Sequence, residues 1–374
     1  MLLPFSMHIP LCPYYNQCGG CTTQHIPYEA QLLSKKKALV TAIAYPEEEI
    51  NIVSDKEYFY RNKMEFIFHE RIIGLRKKGN PNIIVHINHC VIAEEAINNL
   101  LKETQAFFKN IDTYNKKRKN GTFVSVTLRT SKTEQGICFM LYENSSKLAE
   151  AIELIKKYAQ DSSAQNIMIA YVTDKEEIIE PFVVKGNDYL TVTYLGKTFQ
   201  YSLLGFFQNN HAMAEKMHEY VHKLLSNYPT QQSHLLDLYS GVGTFGIINA
   251  DLFKTVNMIE SFEQSVVSAQ KNIEINNTKN AKTNCINAKQ LKKIEFQKPL
   301  FVITDPPRTG MDLETLQTLK KNSPEVIIYV SCDVQQLRKE LKQFQEYEIK
   351  SAALFDLFPQ TWHSEAVIEL VKKK

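Results

Sequence analysis

Residues 235–246 read Leu235-Leu236-Asp237-Leu238-Tyr239-Ser240-Gly241-Val242-Gly243-Thr244-Phe245-Gly246. The first five residues form a short apolar strand pattern, and the glycines that follow match G-x-G-x-x-G, a tight turn that leads from a strand into a helix. Glycines are needed there because the backbone must turn sharply and approach a ligand closely, and the N-terminus of the following helix favours polar or anionic groups. The stretch therefore predicts a nucleotide-type site on a parallel sheet.

The segments on either side divide the chain into three parts. Strand and helix patterns alternate from residue 196 to the end, beginning with a predicted helix over 211–226, so 196–374 is predicted to be a Rossmann-like α/β domain. Residues 51–195 mix short β-type runs with helices, which indicates a central α+β domain. Residues 1–50 hold a cysteine-rich start and a predicted helix over 28–44, with Lys35, Lys36 and Lys37 on its exposed face.

Composition sets limits without giving the function. The 374 residues suffice for two or three domains, and 44% hydrophobic and 23% charged residues are ordinary for a globular protein. A net charge of +3 permits a polyanionic partner without requiring one. The sequence has no signal-peptide pattern and no run of 18 apolar residues, so we expect a cytoplasmic protein, a monomer, with no membrane partner.

The glycine-rich turn alone leaves two cofactor classes open. Glu260 follows the next apolar run and is well placed to accept hydrogen bonds from a ribose, which suits a dinucleotide as well as S-adenosylmethionine. Asp237 inside the strand, and the absence of visible hydride-transfer residues, favour S-adenosylmethionine, with Gly241 at the close approach. A nicotinamide-dependent oxidoreductase with an iron–sulfur centre stays the alternative from a different class.

Three cysteines, Cys12, Cys18 and Cys21, lie within ten residues near the start. Gly19 and Gly20 between them allow the backbone to wrap around a small object, for which a metal is the natural candidate, and Cys90 is the candidate fourth ligand. Structural zinc usually uses two C-x2-C pairs, so the uneven spacing favours a [4Fe–4S] cluster over zinc. Unrelated free thiols are the remaining alternative.

Cys332 and Glu365 form the most informative pair in the chain. Each is placed at one end of an apolar run, at 326–330 and 366–371, so both side chains are expected where strands of one parallel sheet end. The upstream motif Asp305-Pro306-Pro307-Arg308 is expected at the same edge. The set fits methyl transfer to a pyrimidine base.

Carbon 5 of uracil is a poor nucleophile, which makes direct methylation slow. A thiolate that adds to carbon 6 makes carbon 5 nucleophilic, and a base must afterwards remove the carbon 5 proton. Cys332 fits the first task and Glu365 the second, with Arg308 as the cation that activates the thiol.

A uracil in folded RNA is stacked or paired, so it must be flipped out or taken from a loop. Phe206, Phe207 and Trp362 are candidates to hold the base, although aromatic residues at such spacings are also common in cores. Two basic segments, 76–79 and 114–121, can contact phosphate or serve only as solvated loops.

On these motifs the chain resembles the RNA (uracil-5-)-methyltransferase family, specifically its iron–sulfur branch that acts on 23S ribosomal RNA. The resemblance covers nearly the whole length. It implies Cys332 as nucleophile and Glu365 as proton acceptor. The resemblance also implies an iron–sulfur cluster held by Cys12, Cys18, Cys21 and Cys90. It implies an S-adenosylmethionine site formed by Gln208, Tyr239, Glu260 and Asp305.

Two departures from the family pattern matter. The family usually has Ser-Cys-Asn where this chain has Asp333, which affects any amide contact to the substrate made there. Many relatives begin with a β-barrel RNA-binding domain, and with eleven residues before Cys12 we expect this chain to lack it. RNA selection is then expected from the cysteine region and the central domain, with 23S rRNA as the first target and the tRNA T-loop uridine as the second. An RNA-binding protein with a vestigial methyltransferase domain is disfavoured, since every motif residue is present.

Overall fold

The computed structural model describes residues 8–373. Its helices and strands follow in chain order: α1 (Tyr28–Ile43), β1 (Ile50–Val53), β2 (Lys63–His69), β3 (Ile72–Lys77), β4 (Asn80–His86), α2 (Glu95–Phe107), β5 (Phe123–Thr130), β6 (Gln135–Tyr142), α3 (Leu148–Asp161), β7 (Asn166–Val172), β8 (Ile178–Lys185), β9 (Tyr189–Tyr194), β10 (Lys197–Ser202), α4 (His211–Ser226), β11 (His234–Leu238), α5 (Thr244–Ile248), β12 (Thr255–Glu260), α6 (Glu263–Ile275), β13 (Ala281–Cys285), β14 (Leu300–Thr304), α7 (Leu313–Asn322), β15 (Val326–Ser331), α8 (Val334–Leu341), β16 (Tyr347–Phe355) and β17 (Glu365–Lys372). Short 3-10 helices cover Glu47–Glu49, Ala250–Leu252 and Ala288–Lys293.

The chain folds into two compact units. The first consists of 1–27, 56–192 and 202–204, and the second of 28–55, 193–201 and 205–374. Strands β9 and β10 pair with each other in a two-stranded sheet. Residues 28–55, which the sequence analysis divided between the first two segments, pack in the second unit.

The first unit is built on a seven-stranded sheet with the order β4-β3-β2-β5-β6-β7-β8. The pairs in this sheet are antiparallel apart from β6 with β7, which run parallel because α3 crosses between them. Helices α2 and α3 contribute Ile97, Leu100 and Ile155, which are fully buried, to a core with Phe66 and Phe139 from the sheet. This agrees with the α+β domain predicted from the sequence.

The second unit is built on an eight-stranded sheet with the order β1-β16-β17-β15-β14-β11-β12-β13. β17 runs antiparallel to both of its neighbours, and the other pairs are parallel. Strands β11, β14 and β15 are buried along their whole length, as expected for central strands covered on both faces. The strand order reverses at β11, whose neighbours are β12 and β14, and open α/β sheets bind ligands at such a point.

Helix α1 and strand β1 explain why residues 28–55 join the second unit. β1 pairs in parallel with β16, with Ile50 opposite Ala352, and so extends the edge of the large sheet. Leu39 and Ile43 of α1 are buried in the core of that sheet. The sequence analysis predicted the helix correctly. A four-residue strand, however, gives too weak a local signal to show that it pairs with a strand some 300 residues later in the chain.

No helix among residues 8–373 is both long enough and apolar enough to cross a membrane.

Candidate active site and cysteine cavity

Cys332 and Glu365 lie at the same end of the large sheet. Strands β15 and β17 are antiparallel, with Ser331 opposite Ala366. Cys332 and Glu365 directly adjoin this last pair, and the charge of Glu365 acts on the Cys332 thiol, so the two side chains are near each other. The expectation of a parallel sheet was wrong for β17, and because this strand is antiparallel, its first residue lies at the edge where the parallel strands end. The sheet thus brings together two residues that are 33 positions apart.

The surroundings of this pair disfavour negative charge. Burial, followed by the charges of Glu365 and Asp305, raises the pKa of the Cys332 thiol to about 11, although Arg308 acts in the opposite direction. Burial likewise raises the pKa of Glu365 well above its usual value, with a further contribution from Asp305. One carboxylate oxygen of Glu365, Oε2, is buried without a hydrogen-bond partner. The expected activation of Cys332 by Arg308 is therefore outweighed in the protein alone.

The glycine-rich turn is held by Asp237. Asp237 Oδ2 accepts a hydrogen bond from the Gly246 backbone N–H at 2.8 Å, while Oδ1 is buried and has no partner. A side chain at Gly246 would lie 2.6 Å from Met258 Sδ, so glycine is required for the helix to approach the sheet. Burial raises the pKa of Asp237 to about 8, with contributions from Asp305 and Glu260.

Glu260 lies at the end of β12 and joins the turn to the next helix. Its Oε2 accepts from the Gly241 N–H at 3.1 Å, and its Oε1 accepts from the N–H groups of Ser261 and Phe262, both at 2.7 Å. Ser240, next to the turn, is buried and its hydroxyl has no partner. The predicted residues Gly241 and Glu260 are thus in direct contact.

Asp305 and Tyr239 stand at the ends of adjacent strands. The Asp305 N–H donates to the Leu238 carbonyl at 3.3 Å, where β14 lies beside β11. Burial raises the pKa of Asp305 to about 7. Tyr239 has a left-handed backbone, with φ of 59°. These two predicted residues therefore share the point where the strand order reverses.

Glu340 of α8, which the sequence analysis missed, holds the segment that follows Asp305. Glu340 is buried, and its Oε1 accepts from the Met311 N–H at 2.9 Å while Oε2 accepts from the Tyr329 hydroxyl at 2.6 Å. A Cβ at Gly310, where φ is 77°, would lie 1.7 Å from Glu340 Oε1. A buried carboxylate on a helix with a strong polar face gives no distinctive local signal.

The segment 206–210 leads into α4. Asn210 caps this helix, its side chain accepting from the Met213 N–H at 3.2 Å, and it donates to the Leu357 carbonyl at 3.3 Å. Gln208, the predicted cofactor residue, is half-buried in this segment, and Oδ1 of Asn209 is buried without a partner.

The three aromatic candidates differ in exposure. Phe206 is 72% exposed and Trp362 is 53% exposed, so both can meet a base. Phe207 is buried and stacks on Tyr201 with ring centroids 4.0 Å apart. For Phe207 the burial favours the core alternative, because Tyr201 and His211 at the start of α4 pack against its ring.

Lys35 also differs from its predicted placement. It is buried, and its ammonium group donates to Asp356 Oδ1 at 2.6 Å, whereas Lys37 is exposed. Lys35 lies one helical turn before the core residue Leu39, so the buried face of α1 extends further than the charge pattern indicated.

The four cysteines of the proposed cluster come together in the first unit. Cys12, Cys18, Cys21 and Cys90 all line one cavity of about 400 Å³, counting its opening. Burial raises the pKa of Cys21 to about 12, and the other three thiols raise it further because they lie close by. His89 lines the same cavity. The four residues predicted as cluster ligands therefore line the same cavity.

The backbone around the cavity is tied down by hydrogen bonds. The side chain of Asn98 accepts from the Cys90 N–H at 2.8 Å and donates to the Cys90 carbonyl at 3.1 Å. The Gly19 N–H donates to the Arg76 carbonyl at 3.1 Å. Across residues 8–373, no group of three or more His, Cys, Asp or Glu side chains is drawn together as the ligands of one metal ion.

The two basic segments are placed differently. In 114–121, Lys116 pairs with Glu176 and Lys119 pairs with Asp174, so half of that loop's charge is neutralised. Residues 76–79 are exposed and lie along the cysteine segment, where the Lys78 N–H donates to the Gln17 carbonyl at 2.8 Å.

Comparison with known proteins identifies similar chains. An uncharacterized RNA methyltransferase of Caldanaerobacter subterraneus is 31% identical over 97% of this chain and 85% of the relative. One of Clostridium tetani is 32% identical over 99% of this chain and 85% of the relative.

A solved structure is similar over nearly the whole length. The tRNA (uracil-54, C5)-methyltransferase of Pyrococcus abyssi, in complex with S-adenosyl-L-homocysteine, has a TM-score of 0.78 and 26% identity, covering 95% of this chain and 86% of the other. The model of the tRNA (Uracil-5-)-methyltransferase family matches residues 27–373. The chain therefore belongs to this family of S-adenosylmethionine-dependent RNA uracil-5 methyltransferases.

Proposed function

We propose that this enzyme methylates carbon 5 of one uridine in RNA through a covalent bond between Cys332 and carbon 6 of the base. The observation that carries the proposal is that Cys332 and Glu365 adjoin the last pair of β15 and β17, Ser331 and Ala366, and lie close enough for the charge of Glu365 to act on the thiol. Family membership replaces the nicotinamide-dependent alternative, because the family transfers methyl groups.

The two side chains divide the chemistry. The Cys332 thiolate forms a bond to carbon 6, and the electrons of the 5,6 double bond move to the carbonyl as an enolate. S-adenosylmethionine supplies the methyl group that carbon 5 then takes. Glu365 next accepts the carbon 5 proton, the 5,6 double bond reforms, and the bond between carbon 6 and sulfur breaks to release Cys332. The free, buried Oε2 of Glu365 suits this proton transfer.

The S-adenosylmethionine site is proposed at the reversal of the strand order. Buried polar atoms without partners, Asp237 Oδ1, Ser240 Oγ and Asn209 Oδ1, fit a polar ligand there. Gly241 allows the backbone to come close, and Glu260 orders the turn. Gln208, Tyr239, Glu260 and Asp305 are the residues proposed to hold the ligand.

We propose a [4Fe–4S] cluster for the cysteine cavity. Four thiols that line one mainly apolar cavity supply the sulfur ligands that such a cluster takes. Cys12, Cys18, Cys21 and Cys90 would hold it. Its proposed role is to support an RNA-binding surface, since the exposed basic residues 76–79 lie along the cysteine segment.

The proposed target is 23S rRNA, in a cytoplasmic, monomeric enzyme. The tRNA T-loop uridine is the second candidate, and it is favoured by one observation, the similarity to an enzyme that acts on uracil-54 of tRNA.

The test is nucleoside mass spectrometry with position mapping, after unmodified total RNA is incubated with the protein and methyl-labelled S-adenosylmethionine. Label in 5-methyluridine of 23S rRNA supports the full proposal, and label in the tRNA T loop supports the second target. Cys332→Ala is expected to abolish labelling. Cys138→Ala, the matched loss of a buried cysteine in the first unit, is expected to retain it. Full activity of Cys332→Ala would overturn the mechanism.

A further inference from the structure

One face of helix α1 holds the segment that precedes Glu365. Tyr28, Gln31 and Lys35 are three and four residues apart, so they share this face. The Tyr28 hydroxyl donates to Asp356 Oδ2 at 2.7 Å, and Gln31 Nε2 donates to Gln360 Oε1 at 3.0 Å. Lys35 Nζ donates to Asp356 Oδ1 at 2.6 Å and to the Phe358 carbonyl at 3.1 Å. The helix thus contacts three positions of one short connection.

These contacts are removed from water. Lys35 is 3% exposed and Asp356 is fully buried. Buried charges are retained in a fold only where their partners are well placed, because each charge has lost its hydration. Both oxygens of Asp356 accept hydrogen bonds from α1, so the pair has a defined geometry rather than the mobility of a surface ion pair.

The connection that these contacts fix runs from β16 to β17. Asp356 directly follows β16, and Glu365 begins β17. Gln360, in the middle of the connection, is buried and has a left-handed backbone with φ of 65°. The Phe358 carbonyl also accepts a hydrogen bond from the Thr361 hydroxyl at 2.8 Å. The same oxygen atom therefore binds both Lys35 and the turn that contains Thr361.

We propose that Lys35 is a positioning residue for Glu365. Through Asp356 and the Phe358 carbonyl, it fixes the connection that sets where the Glu365 carboxylate stands relative to Cys332. Lys35 does not touch the reacting atoms. The inference rests on the function proposed above, in which Glu365 removes the carbon 5 proton.

The consequence concerns one step of the reaction. Cys332 forms the bond to carbon 6, and methyl transfer to carbon 5 depends on the proposed S-adenosylmethionine site. Neither step needs Glu365. Release of Cys332 needs the carbon 5 proton to move to Glu365, and a displacement of about 1 Å in a reacting group can slow such a step about 100-fold. Loss of Lys35 should therefore leave methylated RNA bound covalently to the protein.

The experiment compares Lys35→Met with Lys37→Met, a lysine on the same helix whose side chain is exposed. Full-length protein is incubated with substrate RNA and labelled S-adenosylmethionine, and both free 5-methyluridine and denaturation-resistant protein–RNA complex are measured. Lys35→Met should lower kcat about 100-fold, lower the KM for RNA in parallel because the covalent complex accumulates after RNA has bound, and leave the binding of S-adenosylmethionine unchanged. Lys37→Met should behave as wild type.

A double variant separates positioning from folding. Lys35→Met with Asp356→Asn removes both buried charges, so it should recover thermal stability relative to Lys35→Met. Because the hydrogen bond to the Phe358 carbonyl is still absent, its kcat should stay low and the complex should still accumulate.

Three outcomes overturn the inference: wild-type kcat in Lys35→Met, a fall in kcat without accumulated complex, or recovery of kcat together with stability in the double variant. Failure of the proposed function is distinguishable, since wild-type protein would then form no 5-methyluridine and no covalent complex at any time point.

Discussion

The two residues proposed for the chemistry stand in surroundings that keep both of them protonated. Cys332 is half-buried, and the nearby carboxyl groups of Glu365 and Asp305 oppose formation of its thiolate. The same burial disfavours the charged form of Glu365. The Cys332 thiol and the Glu365 carboxyl group therefore lose their protons only when bound substrate, bound cofactor or a higher pH favours the charged forms.

We expect the rate of methyl transfer to rise with pH. Cys332, with a pKa of about 11, and Glu365, whose pKa is also raised, must both be deprotonated to act, so kcat/KM should increase from pH 6 to pH 9. Initial rates of label transfer at constant ionic strength measure this. Arg308→Gln removes the cation that lowers the Cys332 pKa and should shift the rise to higher pH. A flat profile with unchanged RNA binding would contradict it.

We expect Asp237→Asn to raise the thermal stability of the protein by an amount that depends on pH. Burial raises the folded-state pKa of Asp237 from its usual 3.8 to about 8. Between these values the unfolded chain releases the proton while the folded protein keeps it, so rising pH destabilises the fold. Asn can still accept from the Gly246 N–H and removes this penalty. The Tm gain over wild type should be larger at pH 8 than at pH 5, and an equal gain at both would refute the assignment.

At the scale of elements, short helices and buried side chains hold the motif segments in place. Asp333, where the family usually has Asn, caps α8: its Oδ1 accepts from the N–H groups of Gln335 and Gln336 at 2.8 and 3.0 Å. Asn and Asp cap helices about equally well. Asp333 therefore caps the start of α8 as well as the usual Asn would.

Asp333→Asn should change the free energy of unfolding by less than about 0.5 kcal/mol, whereas Asp333→Ala should cost about 1 kcal/mol because the cap is lost. Urea titration measures both values. Equal losses in the two variants would show that the charge, and not the cap, matters.

Glu340→Ala should destabilise the second unit by about 3 kcal/mol, because buried donors on Met311 and Tyr329 lose their acceptor. It should also weaken binding of S-adenosylmethionine, since Glu340 holds the segment after Asp305. Glu314→Ala is the control, as its pair with Lys292 is exposed and contributes less than about 1 kcal/mol. Urea unfolding and a binding titration measure the two effects, and a loss as small as that of the control would contradict the role of Glu340.

In the function proposed above, the two units carry different tasks. The four cysteines and the basic residues 76–79 belong to the first unit, and the proposed chemistry belongs to the second. Binding of RNA and binding of S-adenosylmethionine should therefore respond to different substitutions.

Cys21→Ser should lower the iron content and weaken RNA binding while the affinity for S-adenosylmethionine stays the same. Iron analysis, RNA titration and cofactor titration of the same preparation measure this. Cys138→Ser, a change at a buried cysteine outside the cavity, should keep its iron. Unchanged iron and RNA binding in Cys21→Ser would contradict the proposed cluster and its role.

Some properties of this protein follow from the sequence by itself. The apolar strand and glycine turn at 235–246 predicted a Rossmann-like sheet, because a short apolar run and a sharp turn are local signals. The same kind of signal predicted α4 over 211–226, which agrees with His211–Ser226 in the structure. The motifs around Cys332 and Glu365 likewise predicted the family to which the chain belongs.

Other properties were decided only by the tertiary structure. The antiparallel direction of β17 places Glu365 beside Cys332, and no local pattern encodes the direction of a strand. Lys35 looked like a solvated lysine, yet Asp356, more than 300 residues away, makes it a buried partner. Local sequence determines which segments form strands and helices, whereas burial and charge pairing depend on what distant segments bring to the same place.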